Sequence, residues 1–130
     1  MGMATTDLTA ATFEQTVAEN DIVLVDFWAA WCGPCRMFAP VYETASAFHP
    51  ELVFGKVDTE AERELAAAAN IMSIPTLMVF REGILLYAQP GAMPAQALDE
   101  LIGAVKAADM DAVRAELAAH VAQETAESPA

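Results

Sequence analysis

The feature that most constrains this chain is an apolar strand that runs directly into a helix. Residues 22–27 are β-branched or apolar except for Asp26, a pattern typical of a strand covered on both faces. A helical stripe of apolar side chains follows closely, formed by Met37, Phe38, Val41, Tyr42, Ala45 and Phe48. We therefore expect an α/β fold in which this strand lies at the centre of the sheet.

Further strand and helix patterns alternate along the chain. Strand patterns occur at residues 52–57, 76–80 and 84–87. Helical patterns occur at residues 13–20, 60–69 and 93–105. Because a helix separates the first two strands, these should be parallel, whereas the glycine-bearing turn at residues 81–83 favours an antiparallel hairpin for the last two. The expected result is a central mixed sheet of four to five strands with helices on both faces.

The acidic composition narrows the possible partners. The chain has 130 residues, 55% of them hydrophobic, which is enough for the core of one domain. Its 19 acidic and 6 basic residues give a formal net charge of −13, which repels phosphate backbones and anionic membrane surfaces. The apolar runs are too short to span a bilayer, and the start of the chain lacks a secretory leader pattern. We expect a cytoplasmic protein that binds neither nucleic acid nor membranes.

Two cysteines stand where the central strand gives way to the helix. A thiol at a helix start faces unpaired N–H groups and the positive end of the peptide dipole, both of which favour the thiolate. Cys32 is therefore the predicted nucleophile, and Cys35, one turn later, can reach and resolve a mixed disulfide. Pro34 suits the first helical turn, where its missing N–H would have no partner, and it stiffens the short loop between the sulfurs.

Other uses of the cysteine pair fit less well. A disulfide across two intervening residues closes so small a loop that it constrains the unfolded chain little. A zinc site would need two further ligands, and although His49 follows Cys35 at a suitable distance, His120 lies too far along the chain. We therefore expect redox chemistry at Cys32 and Cys35, with no metal.

Several motifs together resemble those of the thioredoxin family. The run from Phe27 to Arg36, with Trp31-Cys32-Gly33-Pro34-Cys35 inside it, is similar to the family's active-site signature. The resemblance covers residues 8–105, and its other matches follow in order: Val25-Asp26-Phe27, Pro40, Lys56-Val57-Asp58, Ile74-Pro75-Thr76, Phe80-Arg81-Glu82-Gly83 and Gly91-Ala92.

The resemblance implies a thioredoxin fold and a protein that reduces disulfides by dithiol–disulfide exchange. It implies that no cofactor is bound, that Cys32 and Cys35 form a redox-active disulfide, and that NADPH supplies electrons through thioredoxin reductase. The implied partners are that reductase and disulfide-containing proteins. Gly33 and Pro34 between the sulfurs resemble the reducing members of the family more than the oxidising ones.

Asp26 is a third candidate catalytic residue. A carboxyl group embedded in an apolar strand has its charged form disfavoured by burial, which makes it a plausible proton acceptor near neutral pH. The resemblance implies that Asp26 assists Cys35. A structural role is also open, in which Asp26 pairs with a buried Lys56, and the two roles are compatible.

A flat apolar surface is expected around the sulfurs for binding substrate. Ile74-Pro75 matches the family's cis-proline loop, and the resemblance implies that a substrate chain pairs there in strand fashion. The other residues expected around the sulfurs are Trp28, Trp31, Gly33, Pro34 and Gly91. Simple core packing is an equally open role for Trp28.

The chain continues past the region of resemblance. We expect a thioredoxin domain at residues 1–108, a helical extension from Asp109, which could cap a separate helix, and a disordered tail at residues 124–130. An apolar stripe recurs at Val113, Leu117 and Val121. Packing of this stripe on the domain's own surface, in a monomer, is favoured over a docking or dimer face. An interaction module or co-chaperone that docks partners through this helix is therefore the alternative function.

Overall fold

Strand β2 (Ile22–Trp28) lies at the centre of the sheet, as its apolar pattern predicted. The computed structural model describes residues 4–127, and within them β2 pairs in parallel with β3 (Val53–Asp58) and antiparallel with β4 (Thr76–Arg81). All of its residues except Trp28 are buried. Sheet neighbours and helices therefore cover β2 on every side.

Two edge strands, β1 (Thr5–Asp7) and β5 (Ile84–Pro90), complete a five-stranded sheet in the order β1-β3-β2-β4-β5. Strand β1 pairs in parallel with β3, and strand β5 pairs antiparallel with β4. The sequence pattern did not reveal β1, because three partly or fully exposed polar residues carry no apolar alternation. The mixed sheet expected from the sequence is confirmed.

The hairpin between β4 and β5 is also confirmed. Glu82 and Gly83 form its two-residue turn, with φ angles of 53° and 79°. Two successive positive φ angles match the twist of the flanking strands, and glycine adopts such an angle without cost.

Helices cover both faces of the sheet. They are α1 (Phe13–Glu19), α2 (Gly33–Phe48), α3 (Arg63–Ala68), α4 (Ala95–Ala107) and α5 (Met110–Glu127). Side chains of β2 alternate between two cores: Val23, Val25 and Phe27 pack with residues of α1 and α3, and Ile22 and Leu24 pack with residues of α2 and α4. In the described part of the chain, no helix is long and apolar enough to cross a membrane.

Helix α5 is a separate element, as the sequence suggested. Asp109 Oδ1 accepts a hydrogen bond from the Ala112 N–H at 3.1 Å, which caps the new helix after the break at Ala108. The expected disordered tail is wrong for residues 124–127, which continue α5, and residues 128–130 lie outside the described residues.

The apolar stripe of α5 packs on the domain less than the sequence suggested. Only Val113 is partly buried, whereas Leu117 and Val121 are 42% and 55% exposed. The residues of α5 from Arg114 to Thr125 are exposed, so the burial of α5 against the domain is confined to its first turn.

Candidate active site

The two cysteines lie at the start of α2, where the sequence placed them. Cys32 is the N-cap residue, and its Sγ accepts a hydrogen bond from the Cys35 N–H at 3.2 Å. The two residues form a disulfide, with their Cα atoms 5.2 Å apart. Gly33 and Pro34 form the first turn between them, where the missing N–H of proline leaves no partner unsatisfied.

Of the two sulfurs, Cys32 is the one that faces a surface groove. This groove has a volume of about 490 Å³. Its walls are formed by Trp31, Cys32, Gly33, Pro34, Thr59, Ala66, Ile71, Met72, Ser73 and Ile74. Both cysteines are buried, at 4% exposed for Cys32 and 3% for Cys35, but Cys35 does not line the groove and packs with Ala29 and Cys32. A disulfide that enters the groove therefore meets Cys32 first.

The loop before β4 closes the groove opposite the cysteines. The Ile74–Pro75 peptide bond is cis, as the motif predicted. The carbonyl oxygen of Ile74 lies 3.7 Å from Cys32 Sγ. Pro75 is buried, and its carbonyl oxygen accepts a hydrogen bond from the Gly91 N–H at 2.7 Å. Gly91 has a φ of 105°, an angle that residues with a side chain rarely adopt. Glycine at this position therefore permits the backbone conformation in which its N–H reaches Pro75.

The two tryptophans occupy different positions. Trp31 is 67% exposed at the rim of the groove, and its Nε1–H donates to Glu60 Oε2 at 3.3 Å. Trp28 does not reach the groove and instead packs behind Ala29 and the two cysteines. The sequence grouped both residues around the sulfurs; Trp28 packs against the cysteines, and Trp31 lines the groove.

Asp26 lies beneath α2, the helix that carries Cys35. Its side chain is 1% exposed, and alternation along β2 directs it to the same face as Ile22 and Leu24, which pack with α2. Burial raises the pKa of Asp26 to about 7, against the lowering effect of the Lys56 charge. The negative charge of Asp26 also contributes to the raised pKa of buried Tyr42 on α2, although burial of the phenol is the larger cause.

Lys56 is the register partner of Asp26 on β3, but its ammonium group lies elsewhere. The Nζ atom is 4.9 Å from the ring centroid of Trp28, in a cation–π arrangement. In residues 4–127 no salt bridge joins Lys56 to Asp26, and Asp26 Oδ1 has no hydrogen-bond partner there. Lys56 therefore acts on Asp26 through its field and not through direct contact.

Comparison with known proteins decides the family. The sequence model of the family described as Thioredoxin matches residues 4–104. The chain belongs to the thioredoxin family. The matched region contains all five strands, both cysteines and most of α4.

Individual thioredoxins support this assignment. Putative thioredoxin 2 of Streptomyces coelicolor is 56% identical over 120 residues, which cover 92% of this chain and 90% of that protein. Thioredoxin of Porphyra purpurea is 41% identical over 102 residues, which cover 77% of this chain and 95% of that protein. The solved structure of Plasmodium falciparum thioredoxin aligns with a TM-score of 0.71 and 38% identity, over 79% of this chain and 99% of that one.

Helix α5 lies outside the family match but not outside every relative. The alignment with the Streptomyces protein leaves out fewer residues of this chain than the 18 residues that make up α5. At least part of this helix is therefore aligned in that thioredoxin. The structure of oxidised mitochondrial thioredoxin 3 of Saccharomyces cerevisiae aligns with a smaller share of this chain, 76%, at a TM-score of 0.70 and 30% identity.

Membership of the thioredoxin family and the paired sulfurs establish the chemistry. The chain is a thiol-disulfide oxidoreductase that reduces disulfides in proteins. Thioredoxins work through a redox-active disulfide and carry no bound cofactor, and the family implies thioredoxin reductase and disulfide-containing proteins as partners. Across residues 4–127, no group of three or more His, Cys, Asp or Glu side chains is placed to hold a metal ion.

Some residues of the thioredoxin groove were missed in the sequence. They are Thr59, Ala66, Ile71, Met72 and Ser73. Thr59 directly follows β3, and the ends of parallel strands β2 and β3 meet at one edge of the sheet, so this position could have been inferred. Met72 and Ser73 immediately precede the predicted loop at Ile74 and could have been found by that proximity alone.

Proposed function

We propose that this protein reduces protein disulfides in two exchanges and is then returned to the dithiol by a flavin- and NADPH-dependent thioredoxin reductase. The observation that carries the proposal is the position of Cys32 Sγ, which caps α2 and faces the groove while Cys35 stands one turn behind it. One sulfur is thus placed to attack and the other to resolve.

Cys32 performs the first exchange as a thiolate. The Cys35 N–H and the positive end of the α2 dipole stabilise its negative charge. The thiolate attacks one sulfur of the substrate disulfide, the bond between the two substrate sulfurs breaks, and the other substrate sulfur leaves as a thiolate. A mixed disulfide between Cys32 and the substrate results.

Cys35 performs the second exchange with help from Asp26. The Cys35 thiol gives its proton to the Asp26 carboxylate, and the new thiolate attacks Cys32 Sγ, so that the substrate sulfur leaves reduced. A pKa of about 7 suits Asp26 to accept and return a proton near neutral pH. Lys56 supports this role because its positive charge lowers the pKa of Asp26 and so offsets part of the increase caused by burial. Trp28 supports it by holding the Lys56 ammonium group over its ring.

The groove binds the substrate chain around the attacked sulfur. Trp31, Gly33, Pro34 and Ile74 provide a mostly apolar surface that accepts many sequences. The loop of Ile74 and Pro75, held by Gly91, presents backbone groups beside Cys32 with which an extended substrate pairs.

The thioredoxin domain at residues 1–108 carries this activity, and residues 109–130 are an extension of it. The protein works in the cytoplasm as a monomer, without nucleic-acid or membrane partners. A formal net charge of −13 supports this assignment, because copies of the chain repel each other and also repel anionic surfaces.

The test measures NADPH consumption in the presence of thioredoxin reductase and insulin. The full chain is expected to couple the two, and Cys32→Ser is expected to abolish the coupling. Cys35→Ser is expected to stop at the first exchange and accumulate a mixed disulfide with the substrate, visible by mass under non-reducing conditions. A Cys32→Ser protein that still consumed NADPH would overturn the proposal.

A second measurement fixes the direction of the reaction. Equilibration of the Cys32–Cys35 couple with glutathione gives its potential, and a reductant is expected to stay oxidised where an oxidant or isomerase would already be reduced. A couple as oxidising as that of an isomerase would contradict the reducing assignment while leaving the exchange mechanism intact.

A further inference from the structure

A second groove lies at the end of β5 that is remote from the disulfide. Strand β5 ends at Pro90, next to the Gly91 that contacts the active-site loop, and begins at Ile84, six residues earlier. At this beginning, the strand and α5 enclose a groove of about 840 Å³. Strands advance about 3.3 Å per residue, so a ligand in this groove lies roughly 20 Å from the active-site loop.

The helix wall of this groove is fixed to the domain. Met110 at the start of α5 is 5% exposed. Arg114, one turn later, forms ion pairs with Glu82 in the hairpin turn and with Asp111. The preceding break is held by Arg81, whose Nη1 donates to the carbonyl oxygens of Val105, Lys106 and Ala108 at 2.9, 3.1 and 3.0 Å. The groove is therefore built by anchored elements.

Both walls of the groove expose a large apolar side chain. Leu85 on the strand is 45% exposed, and Leu117 on the helix is 42% exposed, although both are large apolar side chains. Strand β5 forms an edge of the sheet, so one row of its backbone N–H and C=O groups has no strand partner in the described part of the chain. Such an edge pairs with an extended segment whose alternate side chains face the same wall.

The charged residues around the groove indicate which kind of segment binds there. Glu116 lines the groove, and no residue of the described chain forms an ion pair with it. Arg114 is already engaged with Glu82 and Asp111, and His120, which also lines the groove, has its Nε2 atom 3.6 Å from Glu124 Oε2. A basic segment is attracted here, whereas a second copy of a chain with a charge of −13 would bring another acidic helix.

From this arrangement we propose that the groove between β5 and α5 binds an extended segment of a partner protein in which apolar residues and lysine or arginine occupy every second position, so that both kinds share the face turned to the groove. The segment adds to the edge of β5, and on the face turned to the groove it places apolar side chains against Leu85 and Leu117 and a basic side chain beside Glu116. This binding needs no exchange of sulfur and leaves the active-site groove free, so it goes beyond the proposed reduction of disulfides.

Two cysteine-free synthetic peptides of equal length test the proposal. One repeats Val-Thr-Lys-Thr and the other repeats Val-Thr-Glu-Thr, so that in an extended strand valine and the charged residue lie on the same face. Each is titrated by fluorescence anisotropy with the full chain at low salt. The lysine peptide is expected to bind and the glutamate peptide is not. Equal binding of the two peptides, or no binding of either, would overturn the proposal.

Variants locate the site. Leu117→Ser is expected to weaken binding of the lysine peptide about tenfold, by loss of apolar contact. Glu116→Gln is expected to weaken it about two- to fivefold, by loss of an exposed ion pair. Phe48→Ser and Glu14→Gln are matched controls, since they remove an exposed apolar side chain and an exposed carboxylate on α2 and α1, and should leave binding unchanged.

Two further readouts separate the outcomes. All four variants are expected to reduce a small aromatic disulfide at the rate of the parent. This result would show that the variants are folded. It would also distinguish a failure of the docking proposal from a failure of the reductase proposal. Sedimentation of the free protein is expected to show a monomer. A dimer that Leu117→Ser dissociates would mean that a second copy fills the groove, and would overturn the proposed occupant.

Discussion

Helices α2 and α5 begin in the same way but differ along the rest of their length. In each, the side chain of the N-cap residue accepts a hydrogen bond from the N–H three residues later, Cys32 from Cys35 at 3.2 Å and Asp109 from Ala112 at 3.1 Å. Helix α2 then buries Phe38 and Tyr42 in the core, whereas most residues of α5 stay exposed.

The comparison shows that the cap of a helix and the function of the helix are independent of each other. A cap stabilises the first turn in either setting, because it satisfies an N–H that lacks a helical partner. In α2 the capping atom is a sulfur, so the groups that stabilise the helix start also stabilise a thiolate. In α5 the capping atom is a carboxylate oxygen, which takes part in no covalent exchange. This helix therefore provides an exposed surface and no reactive group.

The largest expected effect tests whether the chemistry resides at one cap only. Cys32→Ser is expected to lower the rate of insulin reduction to that of the uncatalysed reaction, because a serine hydroxyl does not attack a disulfide near neutral pH. Asp109→Ala removes the cap of α5 and should leave the rate of insulin reduction unchanged. Loss of activity in the Asp109 variant would show that the two helices are coupled and would break the comparison.

The next effect contrasts the packing of the two helices. Phe38→Ala should lower the free energy of unfolding by about 3 to 5 kcal/mol, because it leaves a cavity beneath α2 where the side chain was 1% exposed. Leu117→Ala on α5 should change it by less than about 0.5 kcal/mol. Urea denaturation of both variants measures the contrast, and a comparable loss for Leu117→Ala would mean that α5 is packed in solution.

A smaller effect depends on pH and on the carboxyl group beneath α2. The pKa of Asp26 is raised from 3.8 in the unfolded chain to about 7 in the folded one, so the folded state holds the proton between these values. Stability is therefore lost as pH rises through this window, by an amount of the order of 4 kcal/mol at pH 8.

Asp26→Asn should remove this loss. At pH 8 the variant is expected to be about 2 kcal/mol more stable than the parent, because the buried amide forgoes about 1 to 3 kcal/mol of solvation in return. Below pH 3 both the folded and the unfolded parent are protonated, so the loss disappears and the variant should be about 2 kcal/mol less stable than the parent because the cost of burying the amide remains. Urea denaturation across this pH range is the measurement, and a gain that did not depend on pH would contradict the raised pKa.

The smallest effect concerns the cap of α5 itself. Asp109→Ala should cost the first turn of α5 about 1 kcal/mol. Amide hydrogen exchange at Ala112, which loses its hydrogen bond to Asp109, should accelerate while exchange at Cys35 does not change. Equal acceleration at both amides would show that the variant had loosened the whole domain.

The sequence was sufficient for features that depend on neighbouring residues. The apolar run of β2 predicted a buried central strand, Glu82 and Gly83 predicted a tight hairpin, and Asp109 predicted a fresh helix start. Each of these depends on backbone preferences or on burial within a few residues, and such preferences are written in the local pattern.

Features that depend on contacts between distant segments were not predicted. Strand β1 exists because Thr5, Thr6 and Asp7 find partners on β3, and nothing in three polar residues indicates that pairing. Lys56 was expected to pair with Asp26, but its ammonium group settles over Trp28, a choice between neighbours that only the packed structure decides. Thr59 joins the groove because two parallel strands end at one edge.

By itself, the amino-acid sequence determined the α/β architecture, the position of the two cysteines at the start of a helix and the acid in the central strand. The tertiary structure alone decided which sulfur faces a groove, how deeply Asp26 is buried and how much of α5 remains uncovered. The physical reason is range: capping, turn formation and hydrophobic periodicity act over a few residues, whereas accessibility, desolvation and edge pairing depend on segments that meet only when the whole chain has packed.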